Sequence, residues 1–286
     1  MITTIIHDIA AQLQAAYPKD EAEALAWWIA EETTGLTRTQ LQFGCKSTKN
    51  FADMQIFEPI IARLLHFEPI QYIFGHTLWG GLDLKLTPAT LIPRPETAEL
   101  VDKISNLKSQ ISNAPIRVLD IGTGSGCIAL ALKQRHPEWQ VTGIDISAEA
   151  ISVAQENAIR NKLEADFYVA DIFDSIEKNL KFQISNLQYD IVVSNPPYIC
   201  EKEKSSMRPN VLDYEPATAL FVPDDDPLRF YRRIASLHLG RMLFFEINEA
   251  YPSELSGMLT ESGYTDIQIH QDIYGKPRII QARSTR

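Results

Sequence analysis

The sequence predicts an α/β protein with a doubly wound, mostly parallel sheet of seven strands, preceded by a small N-terminal helical bundle and a β-hairpin connector. Two observations predict this class. From about residue 89 onward, short apolar runs alternate with helical segments, which is typical of a parallel sheet with helices on both faces. Before residue 70 the apolar residues recur at helical spacing instead.

The length of 286 residues exceeds one average domain. We expect a helical bundle over 1–69, a hairpin linker over 70–88 and a catalytic domain over 89–286. No apolar stretch is long enough to span a bilayer, and the N-terminus lacks the pattern of a signal peptide. The cysteines (Cys45, Cys127 and Cys200) and the six histidines show no metal-ligand spacing. We therefore expect a reduced, soluble, cytoplasmic, monomeric protein without a metal.

The net charge is −10, and residues 1–75 hold five basic and nine acidic side chains. A protein that binds long nucleic acid normally carries a basic surface, because neutralised phosphates supply most of its non-specific affinity. The charge therefore favours a protein substrate over direct nucleic-acid binding.

The bundle is predicted from three segments. Ile5, Ile9 and Leu13 share one helical face, and further helical patterns run over Ala22–Ile29 and Phe51–Leu65. The bundle is interpreted either as a cap or as a partner-binding element. The connector is expected to contain extended residues at 72–74 and a hairpin whose turn is Gly80-Gly81.

A glycine-rich turn follows the first buried strand of the larger domain, predicted over Val118–Ile121. The turn is Gly122-Thr123-Gly124-Ser125-Gly126, and a helix over Cys127–Arg135 comes directly after it. Glycines allow the backbone to approach a ligand closely, and a helix N-terminus offers unpaired N–H groups. The pattern predicts a nucleotide-like ligand here.

Acidic residues follow the next two predicted strands. Gln140–Asp145 ends in a carboxylate about twenty residues past the glycines, where an acid can accept both ribose hydroxyls. Asp171-Ile172 follows the strand 165–170 and is placed to meet an adenine; the alternative is that Asp171 caps a following helix. The G-x-G-x-G spacing differs from the dinucleotide fingerprint and is similar to the first motif of S-adenosylmethionine-dependent methyltransferases.

The fourth predicted strand, Asp190–Ser194, leads into Asn195-Pro196-Pro197-Tyr198. Each proline fixes its own φ and restricts the residue before it to extended conformation. An amide oxygen, free backbone carbonyls and an aromatic face suit a planar NH2 group. The alternative is a proline-rich turn with a buried tyrosine.

The rest of the chain completes the sheet. A long loop over 200–226 is too long for a simple connector. Beyond it we expect helices over 228–238 and 252–262 and strands over 242–247, 267–270 and 278–281. Glu246, at the end of the fifth strand, is expected to cap the next helix, with a catalytic role as the alternative.

Several motifs occur together in one order: Thr90-Leu-Ile-Pro-Arg-Pro-Glu-Thr97, the glycine turn, Asn195 to Tyr198, Tyr214-Glu-Pro-Ala-Thr-Ala-Leu220 and Phe245-Glu-Ile247. This combination resembles the peptide chain release factor N5-glutamine methyltransferase family, within the class I, Rossmann-like methyltransferases. The resemblance implies transfer of a methyl group from S-adenosyl-L-methionine to the glutamine N5 of the GGQ motif in release factors. It also implies an antiparallel last strand, S-adenosyl-L-homocysteine as product, and a role in translation termination.

The resemblance also suggests roles for individual residues. Asn195 and Pro196 would accept the two N–H protons of the target amide, and Tyr198 would stack on its plane. The cofactor would be held by the glycine turn, Asp145, Asp171, Ile172 and Asn195. Pro197, Arg94 and Glu96 are further candidates for substrate binding; Arg94 and Glu96 are expected in a proline-rich loop, where a surface salt bridge is the alternative.

Two rival functions stay open on the sequence. An N6-adenine or N4-cytosine amino methyltransferase acting on DNA or RNA would use the same NH2-shaped site, and the acidic charge argues against it. A cofactor-binding module without catalysis would not need Asn195 to Tyr198. A further feature is the segment at 106–113, which recurs at 179–186 with a single difference and is interpreted as two loop insertions.

Overall fold

The structure is a computed structural model that describes residues 2–43, 54–107, 115–174 and 189–285. Cys45, Phe51 and nearly all of the two similar segments lie outside these ranges. Within the described ranges, no helix is long and apolar enough to cross a membrane. The chain divides into two compact units.

The first unit comprises Met1–Gly75 and Arg208–Tyr214. Its described α-helices are α1 (Ile2–Leu13), α2 (Lys19–Thr34), α3 (Arg38–Gln42), α4 (Glu58–Leu65), α5 (Ile70–Phe74) and the short α9 (Pro209–Leu212). Ile9, Leu13, Ile29 and Phe57 are fully buried in its core. The helical periodicity predicted this bundle correctly.

Helix α5 corrects the prediction of extended residues at 72–74. Pro69 precedes the helix, and Gly75 ends it with a left-handed φ of +74°. A proline before the first turn and a glycine after the last are the residues that favour a helix at each end. These flanking residues outweigh the preference of Tyr72 and Ile73 for extended structure.

The second unit comprises His76–Met207 and Glu215–Arg286. A hairpin of β1 (His76–Trp79) and β2 (Leu82–Lys85) opens it, as predicted. A seven-stranded sheet follows with the order β10-β11-β9-β6-β3-β4-β5. Its strands are β3 (Arg117–Ile121), β4 (Gln140–Asp145), β5 (Asp166–Val169), β6 (Tyr189–Ser194), β9 (Gly240–Glu246), β10 (Tyr264–Gln271) and β11 (Pro277–Ser284).

The sheet is mostly parallel. Strands β3, β4, β5, β6 and β9 pair in parallel, and β11 pairs antiparallel with both β9 and β10. Every residue of β6 is buried, as expected for the centre of a sheet covered on both faces. The strand order reverses between β3 and β6, because β4 and β5 follow on one side of β3 and β6 lies on its other side. Ligands bind outside the carboxyl ends of strands at such a position.

The helices that cover the sheet are α6 (Pro95–Ser105), α7 (Cys127–Arg135), α8 (Ala148–Asn161), α10 (Arg229–Leu237) and α11 (Pro252–Glu261). The predicted bounds of α7 and β4 are correct to the residue. Helix α6 corrects the prediction that Glu96 lies in a loop. Pro95 opens this helix, a position where its missing N–H costs nothing, and Glu96 lies in the first turn.

The long segment after β6 is ordered by short elements. It contains β7 (Ile199–Cys200), a 3₁₀ turn over Glu201–Ser206 and β8 (Phe221–Val222), which pairs in parallel with β7. Within the first unit, Arg208 contacts both carboxylate oxygens of Glu21 at 3.1 Å, and the Tyr214 hydroxyl donates to the carbonyl of His66 at 2.8 Å. Residues 208–214 therefore belong structurally to the helical bundle.

Candidate functional site

A cavity of about 490 Å³ lies at the carboxyl ends of β3, β4 and β6. It is mainly apolar, with a few polar groups, which is typical of small-molecule sites. The predicted residues that line it are Gly122, Gly124, Asp145, Asp171, Ile172, Asn195, Pro196 and Pro197. The tertiary structure thus brings together residues that are far apart in the sequence.

The glycine turn presents its backbone to the cavity. Gly122, Gly124 and Gly126 all have left-handed φ values, from +55° to +80°. A Cβ on Gly124 would meet nothing within 4 Å, whereas one on Gly126 would approach Phe167 and Ala154 at 3.2 Å. Gly124 is therefore required by its backbone conformation, and Gly126 by both conformation and close packing.

Thr123, Ser125 and Gly126 do not line the cavity. Thr123 and Ser125 are buried, and the Thr123 hydroxyl donates to Asp120 Oδ2 at 2.7 Å. The same oxygen accepts the backbone N–H of Ala129, in the first turn of α7, at 3.3 Å. Complete burial raises the pKa of Asp120 to about 7, although these two hydrogen bonds act in the opposite direction.

Asp145 links the glycine turn to the next strand. Its Oδ2 accepts the N–H of Gly124 at 2.9 Å, and its Oδ1 accepts the N–H of Ser147 at 2.9 Å. Burial raises the pKa of Asp145, and these backbone hydrogen bonds oppose the rise. Each carboxylate oxygen has a second lone pair, so both oxygens can still accept a ligand hydroxyl.

Asp171 lies beyond the end of β5. Its Oδ1 accepts the N–H of Phe173 at 2.8 Å, which fixes the local turn, and both Asp171 and Ile172 line the cavity. Three residues at this wall were not predicted from the sequence: Phe173 and Phe230, which pack edge to face, and Arg229, whose guanidinium lies 5.0 Å from the Phe173 ring centre. The signal available in the sequence was an aromatic residue, Phe173, directly after Asp171-Ile172.

The turn after β6 contributes three residues to the lining. Asn195, Pro196 and Pro197 face the cavity, and Tyr198 does not belong to its lining. The Tyr198 hydroxyl instead donates to Glu246 Oε1 at 3.1 Å, and its carbonyl accepts from Asn248 at 3.1 Å. Burial, followed by the charge of Glu246, raises the pKa of Tyr198.

Glu246 corrects the prediction that it caps the next helix. Helix α11 has no side-chain cap, and Glu246 is 1% exposed. Its Oε2 accepts the hydroxyl of Thr97 at 2.7 Å, and Thr97 Oγ1 in turn accepts from Asn195 Nδ2 at 3.4 Å. A carboxylate between Phe245 and Ile247 in a buried strand was the sequence signal for this network.

Arg94 and Glu96 do not line the cavity either. Arg94 donates to Glu215 Oε1 at 2.7 Å, and the other oxygen of Glu215 accepts the N–H of Ile92 at 3.2 Å. The Glu215 side chain is 1% exposed, so this ion pair has a buried carboxylate and is not a surface salt bridge. It fixes the segment around Leu91, which does line the cavity.

The cavity fits an adenosine-containing ligand. Its wall combines a backbone turn without side chains, a carboxylate with free lone pairs and an apolar surface at Ile172 and Phe173. Among the described residues, no group of three His, Cys, Asp or Glu side chains has the geometry of a metal site.

Two family models match the chain, one in each of its two compact units. The family model described as PrmC N-terminal domain matches residues 4–75, and that described as Methyltransferase small domain matches residues 98–212. A release factor glutamine methyltransferase from Bacteroides thetaiotaomicron is 42% identical over 279 residues, covering 96% of this chain and 97% of that protein. One from Flavobacterium psychrophilum is 38% identical over 278 residues, covering 94% of each.

Solved structures share the fold at lower identity. The hMettl16 catalytic domain, in complex with MAT2A 3'UTR hairpin 1, superposes with a TM-score of 0.56 and 20% identity over 72% of this chain and 75% of that chain. A methyltransferase from Pyrococcus furiosus superposes with a TM-score of 0.50 and 17% identity over 79% and 98%, respectively.

Proposed function

The chain belongs to the release factor glutamine methyltransferase family, and from this premise we propose that it methylates the N5 amide nitrogen of the glutamine in the GGQ motif of peptide chain release factors. The observation that carries the proposal is the position of Asn195 and Pro196. Both line the same cavity as Asp145 and the glycine turn. The oxygens of Asn195 and Pro196, which suit a planar amide, thus line the same cavity as Asp145 and the glycine turn, which suit a nucleoside.

We propose S-adenosyl-L-methionine as the methyl donor, which leaves as S-adenosyl-L-homocysteine. When bound, it supplies a methyl group that its sulfonium has already activated for transfer. Asp145 would accept the ribose hydroxyls, and the backbone of Gly122 and Gly124, which carries no side chains, would let the ligand approach closely. Asp171, Ile172 and Phe173 form the wall on which the adenine would lie.

The second substrate is the glutamine side chain of the release factor. Its amide nitrogen is a poor nucleophile because the lone pair is delocalised into the carbonyl, so the protein must orient and polarise it. The Asn195 oxygen and the Pro196 carbonyl would accept the two N–H protons and increase the electron density on nitrogen. Holding the nitrogen in line with the methyl group contributes several kcal/mol, on the order of what proximity effects supply. The methylated, protonated amide is strongly acidic and loses its proton to water without a dedicated base.

Stacking of Tyr198 on the target amide stays a prediction, because the cavity lining stops at Pro197. The anchored hydroxyl of Tyr198 supports a rigid ring at the end of this turn. Direct stacking requires the substrate loop to reach past the two prolines.

Mass spectrometry of a bacterial release factor incubated with the protein and S-adenosylmethionine tests the proposed function. We expect one added methyl group on the GGQ glutamine, absent with Asn195→Ala and present with Asn106→Ala, a matched change at an exposed asparagine at the end of α6. Methylation of DNA or RNA without methylation of the release factor would instead support the amino methyltransferase.

The N-terminal bundle is proposed to bind the release factor in the cytoplasm, where translation takes place. The match of this unit to a family-specific N-terminal domain supports the proposal, as does Phe43, an 84% exposed aromatic residue. Phe43→Ser should raise KM for the intact release factor and leave KM for a short GGQ peptide unchanged. An equal effect on both substrates would contradict this role.

A further inference from the structure

A buried network lies behind the Asn195 side chain, on α6 and β9. The Glu246 carboxylate, 1% exposed, accepts two hydroxyl protons: that of Thr97 at Oε2, 2.7 Å away, and that of Tyr198 at Oε1, 3.1 Å away. Burial raises the pKa of Glu246, and the hydrogen bonds from Thr97 and Tyr198, followed by the charge of Arg278, oppose this rise and favour the carboxylate. Both carboxylate oxygens act as acceptors, which fixes the direction of each hydroxyl.

This direction determines what Thr97 offers to Asn195. A threonine hydroxyl has one proton, and here the proton is donated to Glu246. Its oxygen therefore presents lone pairs to Asn195, and only the NH2 end of the asparagine amide can make the observed 3.4 Å contact. The two ends of a planar carboxamide point apart, so the Asn195 oxygen is the polar atom left for the cavity that this residue lines.

We propose that Thr97 and Glu246 are positioning residues that orient the Asn195 carboxamide with its oxygen toward the target amide. The inference rests on the proposed glutamine methylation and adds two residues to it. In the opposite orientation the Asn195 NH2 group would face the substrate NH2 group, and two donors would meet. The Glu246 carboxylate thus sets the donor-to-acceptor direction of the hydrogen bonds from Asn195 to Thr97 and from Thr97 to Glu246, without contacting the substrate.

Two substitutions of Thr97 distinguish the role of its hydroxyl in orienting Asn195 from the packing of its side chain. Thr97→Val keeps the shape and removes the hydroxyl, and Thr97→Ser keeps the hydroxyl. We expect Thr97→Val to lower kcat about 10- to 100-fold, the range for losing a hydrogen bond to a charged group, and Thr97→Ser to recover activity to within about threefold. Glu246→Gln should also lower kcat, because its amide can turn an N–H toward Thr97 and reverse the chain. The matched control is Thr260→Val, on the exposed face of α11.

Three further measurements distinguish positioning from a structural role. Affinity for S-adenosylhomocysteine, measured by calorimetry, should stay within about twofold of wild type, since orienting Asn195 affects the amide site. In single-turnover reactions, Thr97→Val should add little to Asn195→Ala, because a residue that acts through another has no effect once that residue is removed. Thermal unfolding identifies any variant whose loss of activity reflects loss of fold.

The outcomes are distinct for each proposal. An active wild type with an equally active Thr97→Val, or with Thr97→Ser as impaired as Thr97→Val, would overturn the positioning role and leave the proposed function intact. A wild type that adds no methyl group to the release factor would overturn the proposed function, and the positioning role with it.

Discussion

Two turns at the carboxyl ends of the neighbouring strands β3 and β6 line the same cavity, and they are built in opposite ways. The glycine turn, residues 122–126, has left-handed φ values at all three glycines. The proline turn, residues 195–198, has none, and two prolines restrict its backbone. The first turn presents the glycine backbone of Gly122 and Gly124 to the cavity, and the second holds one side chain in a fixed orientation.

The difference follows from what each turn is proposed to contact. A ligand bound against backbone needs close approach, and any side chain would block it, so glycine is favoured. A reacting amide needs acceptors at fixed positions, because small displacements at a reaction centre are costly. The proline turn obtains this rigidity from its two prolines and from the buried network of Thr97 and Glu246.

The largest expected effect separates chemistry from binding. Asn195→Ala should lower the rate of methyl transfer about 100-fold or more, comparable to the loss of a preorganised hydrogen-bonding group in other active sites. Affinity for S-adenosylmethionine should change by less than about threefold. Single-turnover kinetics and calorimetry measure the two quantities. If Asn195→Ala transferred the methyl group at the wild-type rate with saturating substrate, the proposed role of Asn195 in the reaction would be wrong.

At Asp145, which binds the glycine turn, we expect a loss of cofactor affinity with little change in the rate of methyl transfer. Asp145→Ala removes the acceptor of the Gly124 and Ser147 N–H groups and the proposed ribose contact. Affinity for S-adenosylmethionine should fall about 10- to 100-fold, the equivalent of about 1.5–3 kcal/mol for hydrogen bonds to a charged group. At saturating cofactor the rate should stay closer to wild type. A lower turnover with unchanged affinity for S-adenosylmethionine would contradict the proposal that the glycine turn serves binding and the proline turn serves the reaction.

Packing beneath the glycine turn provides a third test. A Cβ on Gly143, in β4, would lie 2.6 Å from the Phe167 ring and 2.7 Å from Thr123 Oγ1. Gly143→Ala should therefore destabilise the protein by about 1–3 kcal/mol through overpacking. The matched control is Gly257→Ala in α11, where a Cβ meets nothing within 4 Å and a gain of about 0.5–1 kcal/mol is expected. Urea unfolding of both variants checks the contrast.

A fourth test concerns the pH dependence of stability. Asp120 titrates at about 7 in the folded protein because it is buried, against an ordinary value of 3.8. The folded state keeps a proton that the unfolded chain releases near pH 4, so Asp120 makes stability fall as pH rises from about 4 to about 7. The slope is about 1.4 kcal/mol per pH unit at most. Asp120→Asn should remove this contribution in unfolding experiments at several pH values, and an unchanged profile would contradict the raised pKa.

The strand-turn-helix around the glycines could be predicted from sequence because its signals are local. The bounds of α7 and β4 are correct to the residue, since apolar runs, glycines and His136-Pro137 mark each end. The mostly parallel sheet of seven strands and the antiparallel last strand also agree with the expectation. Helix α6 was missed because Pro93, Pro95 and the polar residues that follow are equally typical of a loop.

The sequence by itself determined the individual strands, the cavity-lining glycines and the Asn195 turn, because each is encoded by residues that are neighbours in the chain. Only the tertiary structure decided the partners of the buried polar groups. Thr97 meets Glu246 across 149 positions, and Arg94 meets Glu215 across 121. A buried carboxylate must find donors wherever the fold brings them, because leaving it unpaired is costly. No local pattern encodes which distant residue supplies them.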